Sequence, residues 1–383
     1  MKKTTQLIIL TGLLLAYSCQ NVDERFTNFP KPKKNKISLK YHSPKIETII
    51  LNDEGVESSQ IGFSGIHRGQ DYYFFDVRFC WYYVFDLDGN YKARFLGQGG
   101  GPREIPIGRV AGGCILQDSS LFLLGHTLDH YIFDKNFERK TMFFLSDYRQ
   151  DINSGISDWW TYTHEYDDLI IRNNKDKIFF NMYMEHPNFI FFQYPQRYLD
   201  RYHIFEVDIT HEKPGNMYLK GYPPVYHKNT SLSTFIFSKI NYDMDNAGNF
   251  YVSFEADTLI YKYDNQFKPL YSFGHSGKNM DMNRKRISDV NEWVRNYQQE
   301  RIDRGYYGWI EYVEETNLLF RSYKRGSHAP DDGLQIYSGT TLIADLSVPK
   351  GFRVAGYVAP YYYSHAIADE KRELLIVYRF KLE

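Results

Sequence analysis

From Asp243 to Gly274 the chain alternates polar turns with short aromatic strands. Asp245-Asn246-Ala247-Gly248-Asn249 is a turn, Phe250 to Phe254 a strand, Leu259 to Asp264 a second and Leu270 to Phe273 a third. Gly and Asn admit positive φ, and Asp and Asn side chains bond the backbone of a turn, so such a cluster ends one strand and starts the next. The aromatic and β-branched runs suit a pleated, half-buried surface. Tyr83-Val84-Phe85-Asp86, Tyr131-Ile132-Phe133-Asp134, Phe205-Glu206-Val207-Asp208 and Tyr261-Lys262-Tyr263-Asp264 repeat one strand ending, and each Asp reads as the Asx-turn of a hairpin. Three of them lead into a further strand with a late aromatic, at Phe95, Phe143 and Phe273.

A polar turn followed by an apolar strand recurs at His67 to Phe75, Asp118 to Leu124, Asn173 to Phe180, Asp245 to Val252, Glu314 to Phe320 and Asp369 to Val377. Those are six units, with a period somewhat longer than the roughly 40–50 residues of a propeller blade. One unit cannot bury its own apolar faces, so the units must stack and the ring must close. The expected fold is all-β: a six-bladed β-propeller with one inserted rim helix. The last unit, Phe352 to Phe380, looks one strand short, and Lys45 to Leu51 is a strand without a unit. Pairing Ile46 to Ile50 beside Leu374 to Phe380 would remove the open edge. Val110-Ala111-Gly112-Gly113-Cys114-Ile115 has the small residues of an innermost strand. Between the fourth and fifth units, Ile287, Val290, Val294 and Tyr297 recur at helical spacing within Met282 to Arg304. Asp281 is its expected cap, Gly305 its stop, and Arg284-Lys285-Arg286 its solvated side.

At the N-terminus, Met1-Lys2-Lys3 and the apolar run Leu7 to Ala16 form a secretory signal too short to span a membrane. The run ends Leu15-Ala16-Tyr17-Ser18-Cys19, which resembles a lipobox with Cys19 as the acylated residue. The expected division is a signal peptide over 1–18, a polar tether over 19–40 and a propeller domain over 41–383. Two acyl chains would hold the protein to a membrane more firmly than one. No later apolar run reaches the roughly 18 residues of a spanning helix. Cys80 and Cys114 lie in neighbouring units and read as buried free thiols rather than a bridge. Formal net charge is −1, so no basic excess exists to neutralise nucleic-acid phosphates.

The leader with its Cys, the six units and the loop Leu96-Gly97-Gln98-Gly99-Gly100-Gly101-Pro102-Arg103-Glu104 together resemble the six-bladed propeller lipoproteins of Bacteroidota. Among them the chain is most similar to the group called domain of unknown function 4221. The usual loop there is of a Gly-x-Gly-Pro-Gly-Glu type, and Arg103 stands here in place of a Gly. The resemblance implies a fold and an exported, outer-membrane setting, facing the periplasm or the exterior. It implies no activity.

Candidate chemistry is sparse. The Gly97–Glu104 loop lacks the Lys-Ser/Thr of a phosphate-binding loop and has no helix after it, so it reads as a turn between blades. Gly274-His275-Ser276-Gly277-Lys278 occupies the matching place after the fourth unit. Both loops are expected on one face, with Arg103, Glu104, His275 and Lys278 looking into a shared mouth. His126 and His130 bracket a hairpin without a visible third metal ligand, so no metal is expected. No nucleophile elbow or Cys-His pair is present, and no catalytic residue or cofactor is assigned. Asp167-Asp168 and Asp331-Asp332 are expected in turns, facing water. Trp159-Trp160, Tyr306-Tyr307-Gly308-Trp309 and Tyr361-Tyr362-Tyr363 lie beside turns, so Trp159 and Trp309 join the binding candidates. The expected function is non-catalytic binding of a glycan, peptide or protein partner at one face of the disc. The competing class is a hydrolase or lyase acting on a saccharide or small ester at the channel mouth. If the lipobox reading holds, Cys19→Ser moves the protein from the membrane fraction to the soluble fraction; retention on the membrane overturns the anchor.

Overall fold

The repeated aspartates close their hairpins as the sequence leads one to expect. Asp86 Oδ1 accepts the backbone N–H groups of Asp88 and Asn90, and Asp134 Oδ1 those of Asn136 and Glu138. Asp208 Oδ1 takes those of Thr210 and His211, and Asp264 Oδ1 those of Gln266 and Lys268. Each turn hands a third strand to a fourth, and the computed structural model assembles these strands into six antiparallel sheets. It describes residues 26, 29–30, 36–42, 44–52, 57–67, 69–145, 161–165, 168–185, 198–228, 232–285, 287 and 289–382.

From the innermost strand outward, blade 1 is Gly62–His67, Asp71–Asp76, Trp81–Phe85 and Tyr91–Leu96. Blade 2 is Val110–Ile115, Leu121–Gly125, Asp129–Phe133 and Arg139–Phe144. Blade 3 is Ile171–Asn174, Lys177–Glu185, Tyr202–Asp208 and Lys213–Lys220, with Thr161–His164 paired to the far end of its second strand. Blade 4 is Ile240–Met244, Phe250–Phe254, Ile260–Tyr263 and Pro269–Phe273. Blade 5 is Tyr306–Val313, Leu318–Lys324, Asp332–Ser338 and Thr341–Val348. Blade 6 takes Val354–Val358, Tyr361–Ser364 and Leu374–Phe380 from the C-terminus and its outermost strand, Glu47–Leu51, from the N-terminus. The register runs from Glu47 opposite Arg379 to Leu51 opposite Leu375, so the ring closes by the strand exchange that the short last unit required. The sixth turn falls one hairpin later than expected: Asp369 ends the short strand Ile367–Asp369, which pairs with the third strand of blade 6.

Cores lie between adjacent sheets. Ile49, Leu51 and Val377 of blade 6 pack with Tyr72, Phe74 and Phe85 of blade 1, and Phe320 of blade 5 packs with Tyr362 and Phe380 of blade 6. Tyr307, Tyr362 and Tyr363 are buried in this way. These rings beside turns thus fill the wedge between sheets, the ordinary place for them, where a large apolar face gains most.

Two further expectations are corrected. Part of the tether is folded: Phe26 stands edge-on to Phe254 and Tyr261, and Phe29 to Tyr261 and Tyr263. Lys36–Ile37 then pairs in parallel with Thr341–Leu342 on the outer strand of blade 5. Two aromatic rings among polar residues were enough to hold this stretch down, because burying each removes a large apolar area from water. The signal segment and Cys19 lie outside the described residues.

The rim helix spans Val290–Asp303, and its cap is Asp289, whose carboxylate accepts the Glu292 N–H. Asp281 instead makes its own turn with Asn283 and pairs with Arg304. Trp293 and Tyr297 pack inward while Val290 and Val294 face solvent, because the bulkier aromatics win the buried stripe. The guanidinium of Arg284 lies over Phe237 rather than on a solvated helix face. The structure also holds a short helix at Pro224–Lys228 and a 3-10 turn at Leu232–Phe237.

If Glu47–Leu51 locks the ring, Leu51→Ala costs about 2–5 kcal/mol by urea unfolding, and deletion of 41–52 abolishes the single cooperative transition. A melt unchanged by the deletion overturns closure as a source of stability.

Candidate functional site

Small residues on the inner strands leave the axis open. A central channel of about 840 Å³ runs past Ser64 and Gly65 of blade 1 and Ala111, Gly112, Gly113 and Cys114 of blade 2. The glycines answer close neighbours: a Cβ on Gly112 would stand 2.9 Å from Leu169 Cδ2 of blade 3. Blades 3 to 6 line the same channel with charge. The two halves of the wall therefore differ in kind.

Arg172 on the inner strand of blade 3 is the hub. Its Nε donates to Asp243 Oδ1 on blade 4, and its Nη2 donates to Glu311 Oε2 on blade 5 at 2.8 Å. Asp243 Oδ2 accepts the Tyr312 N–H, so both oxygens of that carboxylate are occupied. Arg353, just before the inner strand of blade 6, donates to Asp168 Oδ1 at 2.8 Å, and Lys239 stands 3.9 Å from the other oxygen. Both guanidinium groups lie over the Trp309 ring, Arg172 at 5.4 Å and Arg353 at 5.5 Å from its centroid. Trp309 is buried beneath them, its Nε1 donating to Val354 O at 2.9 Å and its face meeting the edge of His365 at 4.8 Å. Asp168 and Arg353 precede their inner strands whereas Asn173, Met244 and Tyr312 stand near the ends of theirs, so the charges run along the channel.

These neighbours set the protonation states. Burial raises the Glu311 carboxyl well above the usual range; Arg172 opposes this and the Asp243 carboxylate adds to it. One guanidinium serving two carboxyl groups so little exposed leaves one of them, Glu311, holding its proton. Burial would also raise Asp168, but Arg353 and Lys239 outweigh it and hold that carboxyl low. Burial, reinforced by Arg353 and Arg172, holds His365 down to about 3, so its ring is neutral at physiological pH. The site thus combines a protonated carboxyl, a neutral imidazole and two guanidinium groups beside an indole.

Of the binding candidates singled out in the sequence, Trp309 alone among the described residues lines this channel. It is joined by His126, Cys114 and Asp168, which the sequence had read as no metal ligand, a buried thiol and a water-facing turn. Arg103 pairs with Glu138 at 3.0 Å on the exposed edge between blades 1 and 2. Glu104 turns back into its own loop, where Oε2 accepts the Gly101 N–H at 2.7 Å. The loop is filled by its own carboxylate, which leaves no room for a side chain at Gly99 and little at Gly101. His275 and Lys278 sit between blades 4 and 5: the His275 carbonyl accepts from Arg321 and Gln335, and the Lys278 carbonyl accepts from Tyr323. The shared mouth is therefore corrected, since each loop is tied down over its own seam. Trp159 lies outside the described residues, as does Asp167.

His130 is buried, bonded through Nδ1 to Leu128 O and stacked on Phe143, whereas His126 faces the channel. Among the described residues no group of three His, Cys, Asp or Glu is placed to hold a metal. Cys80 and Cys114 are unbridged, and burial pushes both thiols up to about 12. Asp332 is buried and accepts the Gly351 N–H, contrary to the water-facing turn expected for it.

The channel residues had a faint signature. Arg172, Asp243 and Glu311 are each the single charge of their inner strand, two or three residues before the first hairpin turn of the blade. A charge at that position faces the axis.

The architecture defines a six-bladed β-propeller with a charged central channel. No family model and no curated protein matches the sequence. Among solved structures, the fold is shared with a member of the domain of unknown function 4221 family from Bacteroides vulgatus ATCC 8482. That match has 12% identity and a TM-score of 0.63, and it covers 92% of this chain and 99% of the other. A protein from Bacteroides fragilis NCTC 9343, described as exported, matches with 13% identity and a TM-score of 0.54 over 91% of this chain and 99% of that one. The chain has the propeller fold seen in that family.

Because Glu311 binds its proton more tightly folded than unfolded, the stability tied to it is present below the ordinary value of 4.5 and lost as pH rises toward its raised value. Glu311→Gln cannot ionise. Its stability relative to the parent, followed by urea unfolding, should therefore climb from pH 4.5 to about pH 8; a flat difference overturns the assignment. Arg172→Met leaves the buried Asp243 carboxylate without its guanidinium and should cost about 3–5 kcal/mol near neutral pH.

Proposed function

We propose that the protein is a membrane-anchored binding propeller that receives a hydroxyl-rich ligand, a glycan of one or two sugar units, in the charged half of its channel and releases it unchanged. The observation that carries this reading is the arrangement of Arg172 and Arg353 over Trp309, each guanidinium also holding a carboxylate from another blade. Burying such charges is costly, and hydrophobic replacements of similar volume often serve stability as well or better. Blades 1 and 2 close their share of the ring with small residues, so the charges on blades 3 to 6 are better explained by recognition than by closure.

The basic groups Arg172, Arg353 and Lys239 face the acidic groups Asp168, Asp243 and Glu311. A near-balanced field favours an uncharged polar ligand over a strong anion or cation. Vicinal hydroxyls donate to carboxylates and accept from guanidinium forks, so a sugar can use both. The volume suits a small ligand held within the wall rather than a protein domain, since ligand sites commonly fall between about 300 and 1,000 Å³. Anchoring through Cys19 at the outer membrane is part of the same proposal, supported by the leader and by the exported description of one structural relative.

A second reading is supported by the raised carboxyl of Glu311, a proton donor beside a neutral imidazole in a channel. In it, Glu311 would protonate a leaving group in hydrolysis or elimination.

A glycan and peptide array probed with the purified protein separates these readings. Retention of a glycan, lost in Arg353→Ala while the melting temperature moves little, supports the binding site. Conversion of the retained glycan, abolished in Glu311→Gln, supports the enzyme. Retention of peptides alone overturns the glycan.

A further inference from the structure

Beneath the rim helix lies a pocket of about 190 Å³, apart from the channel, between the Leu232–Phe237 turn and Tyr198. Arg201 lines it, and only 2% of that residue is exposed. Its guanidinium lies over Tyr198 at 4.7 Å and approaches the Tyr222 ring at 5.6 Å. The one hydrogen bond it makes is long, from Nη2 to Ser238 O at 3.4 Å, and Nε and Nη1 have no partner. Arg321 shows what this chain does with a buried guanidinium that serves packing alone. That group is bonded to Thr258 O, His275 O and Gln335 Oε1, and lies over Tyr307 at 3.8 Å.

No carboxylate of the described residues forms an ion pair with Arg201. Glu165 lines the same pocket without an ion pair to Arg201; burial raises its carboxyl against the opposing pull of Lys239 and Arg201. An uncompensated buried charge is strongly destabilising, by several kcal/mol. The rest of the wall is mostly aromatic and apolar, with Tyr183, Phe235, Ile236, Trp293 and Tyr297, and Ser238 and Lys239 are its other polar members. At about 30 Å³ per water, the space matches a single-ring acid or a short fatty acid.

We propose that this pocket is a second ligand site, taking a small organic carboxylate whose anionic head pairs with Arg201 and whose apolar body lies against Phe235, Trp293 and Tyr297. The missing counterion is supplied by the ligand. Inorganic phosphate satisfies the charge but leaves the aromatic wall unused, and a neutral isostere does the reverse. The site does not depend on what the channel binds.

Calorimetric titration of the purified protein with phenylacetate, phenylacetamide and inorganic phosphate tests this directly. Saturable binding of phenylacetate alone is expected, accompanied by a change in tryptophan fluorescence. Arg201→Lys, which keeps the charge but loses the planar fork, should weaken it by at least about tenfold. Trp293→Ala, at a half-buried helix position, should weaken it as well and remains informative if Arg201→Lys fails to fold. Arg353→Ala, in the channel, should leave it unchanged. Equal uptake of phenylacetamide, binding of phosphate in place of phenylacetate, no uptake of phenylacetate, or an affinity untouched by Trp293→Ala each overturns the proposal.

Discussion

Four seams of the ring share one contact: in blades 1 to 4 the turn between the third and fourth strands docks on the outer strand of the blade before it. In blade 2 the docking residue is Phe137, which stacks on Phe95 of blade 1 at 4.4 Å. In blade 4 it is Phe267, stacked on Tyr218 of blade 3 at 4.2 Å. Both phenylalanines adopt φ near +60°, a conformation unusual for a bulky residue. The close aromatic contact offsets that strain. Blade 3 uses Glu212, also at positive φ, whose carboxylate accepts the Thr141 hydroxyl of blade 2. The docking position is therefore defined by the Asx-turn, whose aspartate fixes the backbone, and its side chain is free to vary.

Closure uses the same contact. In blade 1 the docking residue is Gly89, and the outer strand before it is Glu47–Leu51, supplied by the opposite end of the chain. Asn52 N–H donates to Gly89 O at 2.9 Å, and a Cβ on Gly89 would fall 2.2 Å from Ile50 O. Glycine is required where the others carry side chains because the borrowed strand approaches more closely. Nothing chemically new is needed to join the two ends, only the repeat's own contact at shorter range.

That economy explains what could be read from the sequence. Asp86, Asp134, Asp208 and Asp264 mark hairpins through local hydrogen bonds, and local chemistry is what a sequence displays. The missing strand of blade 6 was legible because Ile46 to Ile50 had no unit and Leu374 to Phe380 had no neighbour. Phe26 and Phe29 were missed, since a ring that docks on a distant sheet has no local signature. The rim helix was legible in part: Ile287 and Tyr297 of the expected stripe pack inward, while Val290 and Val294 give up their place to Trp293, a larger ring. The site was least legible of all. Arg103, Glu104, His275 and Lys278 drew attention because glycines surround them, yet those glycines serve turns that Glu104 and Arg321 fill or pin. Arg172, Asp243 and Glu311 meet only across blades, at 71 and 139 positions apart, so the sequence shows each as a lone charge near the end of its strand and not that they meet.

The buried arginines separate structure from recognition. Arg321 has lost all contact with water and is satisfied by carbonyls and an amide, so it can hold the Gly274–Lys278 loop without a counterion. Arg172 is satisfied by carboxylates from two other blades and remains partly exposed to the channel. Arg201 is buried as deeply as a packing residue but satisfied like neither. In a low-dielectric interior the first arrangement adds rigidity, and the second holds charge ready for a polar guest. The third leaves a charge whose desolvation is unrepaid until an anion arrives. Among the described residues the three guanidinium groups thus differ in what satisfies them, and the channel network and the Arg201 pocket are the places proposed to take a ligand.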